Sequence, residues 1–331
     1  MRKAAEWMER HQVVLYLLAL AGGASIGLAA PGIATPARLT IEPVLALLLY
    51  VTFLGVPFSH IRTSFRDHRF LGAVFAVNFV VAPIVVWLLS RLVSHDDVLL
   101  IGVLFVLLTP CVDYVIVFTG IAGGARDRLL AAAPLLMIGQ MALLPLYLWA
   151  FVGPEFISAI DPAPFVEALL FLIILPLAAA TVTQAFARRS GLGRRVMDTA
   201  LSAMVPLMMV TLAVVVTSQI SRVGGRIDAL MLTVPVFVLF AVIMLFVGRI
   251  AGRALRLDVP GTRAVMFSGA TRNSLVVLPL VLALPATYGL AALVVVTQTL
   301  VELILMVVFV RLVPKIAAHS GHREPERPFP L

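Results

Sequence analysis

The chain has 331 residues, 61% of them hydrophobic and 13% charged, with a formal net charge of +8. Apolar side chains in that excess, recurring in long runs from end to end, exclude a water-soluble globular protein. The basic residues stand singly or in pairs between the apolar runs, which excludes a nucleic-acid surface, and the lone cysteine, Cys111, excludes an intrachain disulfide or a multi-cysteine metal motif.

About 20 mainly apolar residues cross a bilayer as a helix. On that rule the predicted spans are 13–30, 41–58, 70–93, 98–121, 128–152, 164–187, 196–220, 230–252, 263–284 and 290–313. None of them alternates apolar and polar residues as barrel strands do. The first run follows a basic start, is interrupted by Gly22-Gly23 and lacks a convincing cleavage site, so it reads as a retained helix rather than a signal peptide.

The connections fix the orientation. Taken alternately, the N-terminus, the even-numbered loops and the C-terminus carry twenty lysines and arginines, whereas the other side has only Arg38, Arg91, Arg222 and Arg226. Positive charge stays inside, which predicts an inner (plasma) membrane protein with both termini cytoplasmic. Adding or losing one span would scramble that asymmetry, so the charges support ten helices.

Ten spans divide into five and five, and an odd number per half makes the second half enter from the opposite face, as in inverted-repeat transporters. The predicted fold is an all-α polytopic membrane protein. Residues 1–12 form a cytoplasmic N-terminus, 13–152 and 153–313 the two five-helix repeats, and 314–331 a disordered cytoplasmic tail.

The signature of such a repeat is an interruption at corresponding places in the two halves. The fourth span is broken at Thr109-Pro110-Cys111-Val112-Asp113 and the ninth at Gly269-Ala270-Thr271-Arg272-Asn273-Ser274. Pro110 removes a backbone donor and clashes with the preceding turn, so it opens the fourth helix. Backbone exposed at that depth must face protein or a water-lined cavity. Two breaks crossing there make one polar site, flanked by helix-end dipoles.

Polar residues inside the spans are the candidates for that site. A charge at a helix centre costs about 2.5–3.5 kcal/mol on insertion scales, which singles out Glu302, with Thr297, Gln298 and Thr299 one turn before it. Its two readings are a transport carboxylate and a buried partner of Arg272. Arg272 and Asn273 either cap freed backbone groups or contact the solute. Asp113 is either a proton-carrying carboxylate or an N-cap. Asn78 and Gln140 read as interhelical hydrogen-bonding residues, and Glu42 and Glu167 as interfacial. Cys111 is a small packing residue or, lying in the break, a soft contact for a soft solute.

The run from Thr109 to Thr119 with Ala122-Gly123-Gly124, together with Thr271-Arg272-Asn273 and Val301-Glu302, resembles the arsenite exporters of the bile acid/sodium symporter superfamily. The resemblance implies panel and core subdomains and export of arsenite or antimonite in exchange for protons. It also implies that Cys111 makes a transient arsenic contact on the pathway and that Glu302 is the proton-linked carboxylate. Asp113 departs from the more apolar pattern of that branch. Val112 to Val117 largely lacks the serine, asparagine and threonine run of the sodium-binding relatives, which favours protons as the coupling ion, with no other cofactor. Two alternatives stand beside it: a sodium-coupled symporter of organic anions, and a membrane sensor or structural subunit that borrows the fold. No His, Ser and Asp constellation or phosphate-cradling loop points to an enzyme. The expected partners are a small inorganic oxyacid or organic anion and the lipid bilayer.

Overall fold

The computed structural model describes residues 7–8, 11–55, 67–112, 114–153, 169–223 and 227–317. Among them the only regular structure is helical, apart from one isolated antiparallel bridge. Lipid offers the backbone no hydrogen bonds, so apolar runs of this length close their bonds internally as helices. The helices are α1 (Gln12–Ala29), α2 (Ala34–Gly55), α3 (His68–Val93), α4 (Asp97–Leu107), α5 (Tyr114–Ile121), α6 (Arg126–Val152) and α7 (Leu175–Arg189). They continue with α8 (Gly191–Ser202), α9 (Met204–Val223), α10 (Ile227–Ala254), α11 (Val259–Ala270), α12 (Ser274–Leu282) and α13 (Gly289–Ile316).

Helix occupies each of the ten predicted stretches where they are described. Five of these are single helices long and apolar enough to cross a membrane: α2, α3, α6, α10 and α13 with the turn before it. A sixth forms if α8 and α9, bent by 43° at their junction, count as one. Exposed Leu18, Leu28, Val182 and Ile250 give the bundle an apolar outer surface suited to lipid. The last helix runs on through Pro314 to Ile316.

Helix starts follow side-chain capping. Asp67, Asp96, Ser190 and Asp258 each accept a backbone N–H at the start of α3, α4, α8 and α11. Proline explains two widened turns. The π segments Val77–Val81 and Leu169–Ile174 each end just before a proline, Pro83 and Pro176, whose missing N–H breaks the α register. The hydroxyl of Tyr147 on α6 donates to the carbonyl of Phe79, which Pro83 cannot reach.

Packing gathers the helices into two groups that meet where α9 lies against α13. In one, α9 lies against α1 and α2, and α7 against α2. In the other, α10 packs on α11, and α13 on α4, α10 and α12. Two glycine pairs spaced four apart set close helix approaches. A Cβ at Gly23 would fall 2.6 Å from the carbonyl oxygen of Ala213, and one at Gly27 2.7 Å from that of Thr217. Gly248 and Gly252 do the same on α10, where a Cβ would lie 2.6 Å from Met266 Cα and 2.7 Å from the Thr262 side chain. Small residues at this spacing let helix backbones meet, which matters in lipid because no hydrophobic force drives helices together. Thr217 Oγ1 adds a hydrogen bond to the Gly23 carbonyl at 2.9 Å.

One end of the second group is tied by charge. Arg128 at the start of α6 reaches Asp258 at 2.7 Å and Asp67 at 3.5 Å. Arg263 donates to the carbonyls of Ala122, Gly123 and Pro314. These contacts gather the segments before α3, α6 and α11 and the end of α13 at one end of the bundle.

Candidate transport site at the crossing of two broken helices

The two interruptions meet. After α4 ends, residues 108–112 leave the helix through a turn and a bend, and after α11 the interruption is Thr271–Asn273, narrower than the sequence suggests because helix persists through Gly269 and Ala270. The segments pair antiparallel, Pro110 opposite Arg272. The Asn273 N–H donates to the Thr109 carbonyl at 2.8 Å, and the Cys111 N–H to the Thr271 carbonyl at 3.4 Å.

Each helix end is closed in the same way. Thr109 Oγ1 donates to the carbonyl of Phe105, four residues back, at 3.2 Å, and Thr271 Oγ1 donates to that of Phe267, also four back, at 2.9 Å. The two halves therefore share a Phe-x-x-x-Thr ending and reciprocal backbone bonds across the crossing. On the far side of the second break, Asn273 caps α12 by accepting from Val276 N–H at 3.3 Å.

Arg272 is the largest fully buried side chain of the chain's described residues, with 0% exposure. Its Nη1 donates to the Leu107 carbonyl at the end of α4 at 3.3 Å. Its Nη2 donates to the Ser268 and Gly269 carbonyls in the last turn of α11 and to Asn78 Oδ1 at 2.8 Å. The guanidinium also lies over the Phe240 ring, 4.9 Å from its centroid. One side chain thus satisfies carbonyls from the ends of two half-helices, where a cation is favoured by the helix dipoles.

Glu302 is 2% exposed, in the middle of α13. Its Oε2 accepts from the backbone N–H of Arg272 at 2.8 Å and from Gln298 Nε2 one turn earlier. The expected neighbourhood of Glu302 and Arg272 is present, and its backbone link anchors the second break to α13. Asn273 Nδ2, Ser274 Oγ and Gln298 Oε1 are buried with no hydrogen-bond partner among the described residues. Asn273 and Ser274 belong to the second break and Gln298 neighbours Glu302, and the three atoms offer one donor, one hydroxyl and one acceptor.

Cys111 is buried within the crossing itself. Asp113 lies outside the described residues, as does Glu167. Glu42 is exposed on α2. Asn78 makes the expected interhelical bond, donating to Ser268 Oγ at 2.9 Å besides receiving Arg272. Gln140 differs: it is 1% exposed on α6, yet neither amide atom meets a partner among the described residues. No group of three or more His, Cys, Asp and Glu able to hold a metal ion occurs among the described residues.

Ser268 and Phe240 were not legible as site residues. Both sit in apolar runs, and only the fold brings them to Arg272. The signal nearest to them was Asn78, a lone amide one turn before a proline in an otherwise apolar helix.

A helical membrane protein whose two helix interruptions cross beside a buried carboxylate has the build of a secondary transporter. A profile of the Sodium Bile acid symporter family matches residues 42–227, more than half of the chain, and the chain belongs to that family. Its members are transporters rather than enzymes, so this chain carries a solute across a membrane. The match takes in the first break with Cys111, whereas Arg272 and Glu302 lie beyond it. No curated protein matches the chain at a significant level.

Proposed function

We propose that the protein is a secondary active exporter of arsenite, with antimonite as a second cargo, coupled to proton entry. The observation that carries this reading is the pairing of Pro110 with Arg272, which sets a buried thiol and a buried carboxylate at one crossing. The reciprocal bonds between Thr109, Cys111, Thr271 and Asn273 support a ten-helix, five-plus-five inverted repeat, with residues 13–152 and 153–313 as its halves. The charge asymmetry supports cytoplasmic termini in an inner membrane.

In this reading neutral arsenous acid enters from the cytoplasm and approaches Cys111, a soft ligand suited to a soft centre. Its hydroxyls meet the unpartnered Gln298 Oε1, Ser274 Oγ and Asn273 Nδ2. Proton uptake from outside by Glu302, with Asp113 as a second candidate carboxylate, weakens the hold on the cargo. A single thiol holds without caging, which suits a carrier that must release what it binds.

Everted vesicles test the assignment. Vesicles bearing the wild-type chain should accumulate arsenite when the lumen is made acid and sodium is absent, and Cys111→Ser should lower that accumulation by at least tenfold. Accumulation that follows a sodium gradient, takes organic anions and ignores Cys111→Ser would instead select a sodium-coupled organic-anion symporter.

A further inference from the structure

We infer that the guanidinium of Arg272 is a tethered cation filling a monovalent-cation site, so that the crossing carries its positive charge without a dissolved sodium ion. Among the described residues, the guanidinium donates to four neutral oxygens: the carbonyls of Leu107, Ser268 and Gly269 and the side-chain oxygen of Asn78. Phe240 closes one face with its ring. Carbonyls at the ends of broken membrane helices are the groups with which transporters coordinate alkali cations, and neutral oxygens suit a single positive charge.

The guanidinium has a geometric advantage over a free ion. Its two terminal nitrogens point in different directions, one to the end of α4 and the other to the end of α11. A planar fork can therefore bridge two helix ends and fix their separation, which a point charge holds only by recruiting more ligands. Full burial of a cation is costly unless it is hydrogen-bonded on every side. Here the cost is offset at the two terminal nitrogens by dipoles already directed at the spot, because both helices end there. Arg272 is held in place by its own backbone, so the charge cannot leave with the cargo. The mobile charge of the cycle must then be sought elsewhere, and Glu302, one backbone hydrogen bond away, is an ionisable group next to it. The inference deepens the proton-coupled reading but is independent of the cargo.

Chemical rescue tests it. The purified protein in detergent is melted in sodium chloride, in choline chloride and in choline chloride with millimolar guanidinium, far below denaturing levels. Wild type should melt at the same temperature in all three. Arg272→Ala should melt lower in choline and regain at least about 2–4 °C with guanidinium and with sodium, because ligands of the emptied site stabilise the folded state. A variant unmoved by either cation, or a wild type that gains as much from sodium as the variant does, overturns the inference. If Arg272→Ala does not survive extraction, Arg272→Lys and Arg272→Gln decide. Lysine keeps the charge and should melt clearly above glutamine, whereas equal melting would mean that packing rather than charge is required. Proton-driven flux in sodium-free buffer judges the coupling reading separately, so either can fail alone.

Discussion

Replacing Glu302 separates its role in holding the crossing from its role in transport. Its Oε2 accepts from two buried donors, the Arg272 backbone N–H and Gln298 Nε2. Glu302→Ala strands both, at roughly 1–3 kcal/mol each, for a loss of about 2–6 kcal/mol. That corresponds to a fall in Tm of roughly 3–9 °C for a chain of 331 residues. Glu302→Gln can place its amide oxygen where Oε2 was and keep both bonds. It exchanges charge-assisted for neutral hydrogen bonds, at about 1 kcal/mol each, and should lose only about 3 °C. If the carboxylate carries the proton, Glu302→Gln should nevertheless abolish pH-driven flux in reconstituted vesicles while still binding cargo. Wild-type flux in Glu302→Gln would refute the proton role. A Glu302→Ala variant as stable as Glu302→Gln would refute the structural one.

Two further outcomes follow from packing and charge. Gly23→Val should sharply lower the yield of folded protein by size-exclusion chromatography, since its Cβ would meet the Ala213 backbone, whereas Gly22→Val, with nothing within 4 Å, should be tolerated. Reporter fusions placed after Arg195 and at the C-terminus should both report a cytoplasmic location. A split result would mean that the number of crossings between those points is odd.

The breaks were legible because each left a mark on an apolar background: a proline in one, a cluster of polar residues in the other. Glu302 was legible for the same reason, since a carboxylate in the middle of a span has few structural excuses. The closure around Arg272 was not. Hydropathy locates a charge along the chain but says nothing of where a long side chain turns, and Asn78 lies 194 residues away from Arg272. The sequence suggested Glu302 as the partner of Arg272. The structure adds that the carboxylate takes the backbone N–H while the guanidinium spans two helix ends. Spans were harder to delimit where proline altered the helix. The π segments before Pro83 and Pro176 are local consequences of a missing N–H that a window average does not register.

The register of the crossing explains how such different residues can occupy equivalent places in the two breaks. In an antiparallel pair, residues facing each other alternate between exchanging both backbone bonds and exchanging none. Here the bonds belong to Asn273 with Thr109 and to Cys111 with Thr271, so Pro110 and Arg272 face each other in the unbonded place. A proline there removes no bond from the bridge, and it can open α4 without weakening the contact that holds the crossing. The Arg272 N–H, by the same geometry, points out of the bridge, and this is the group that Glu302 accepts. A shift of one residue would place Pro110 where a donor is needed and turn the Arg272 N–H inward, away from α13. The backbone is thus nearly two-fold while its side chains are not: one half contributes the residue that breaks a helix, and the other the residue that closes both broken ends.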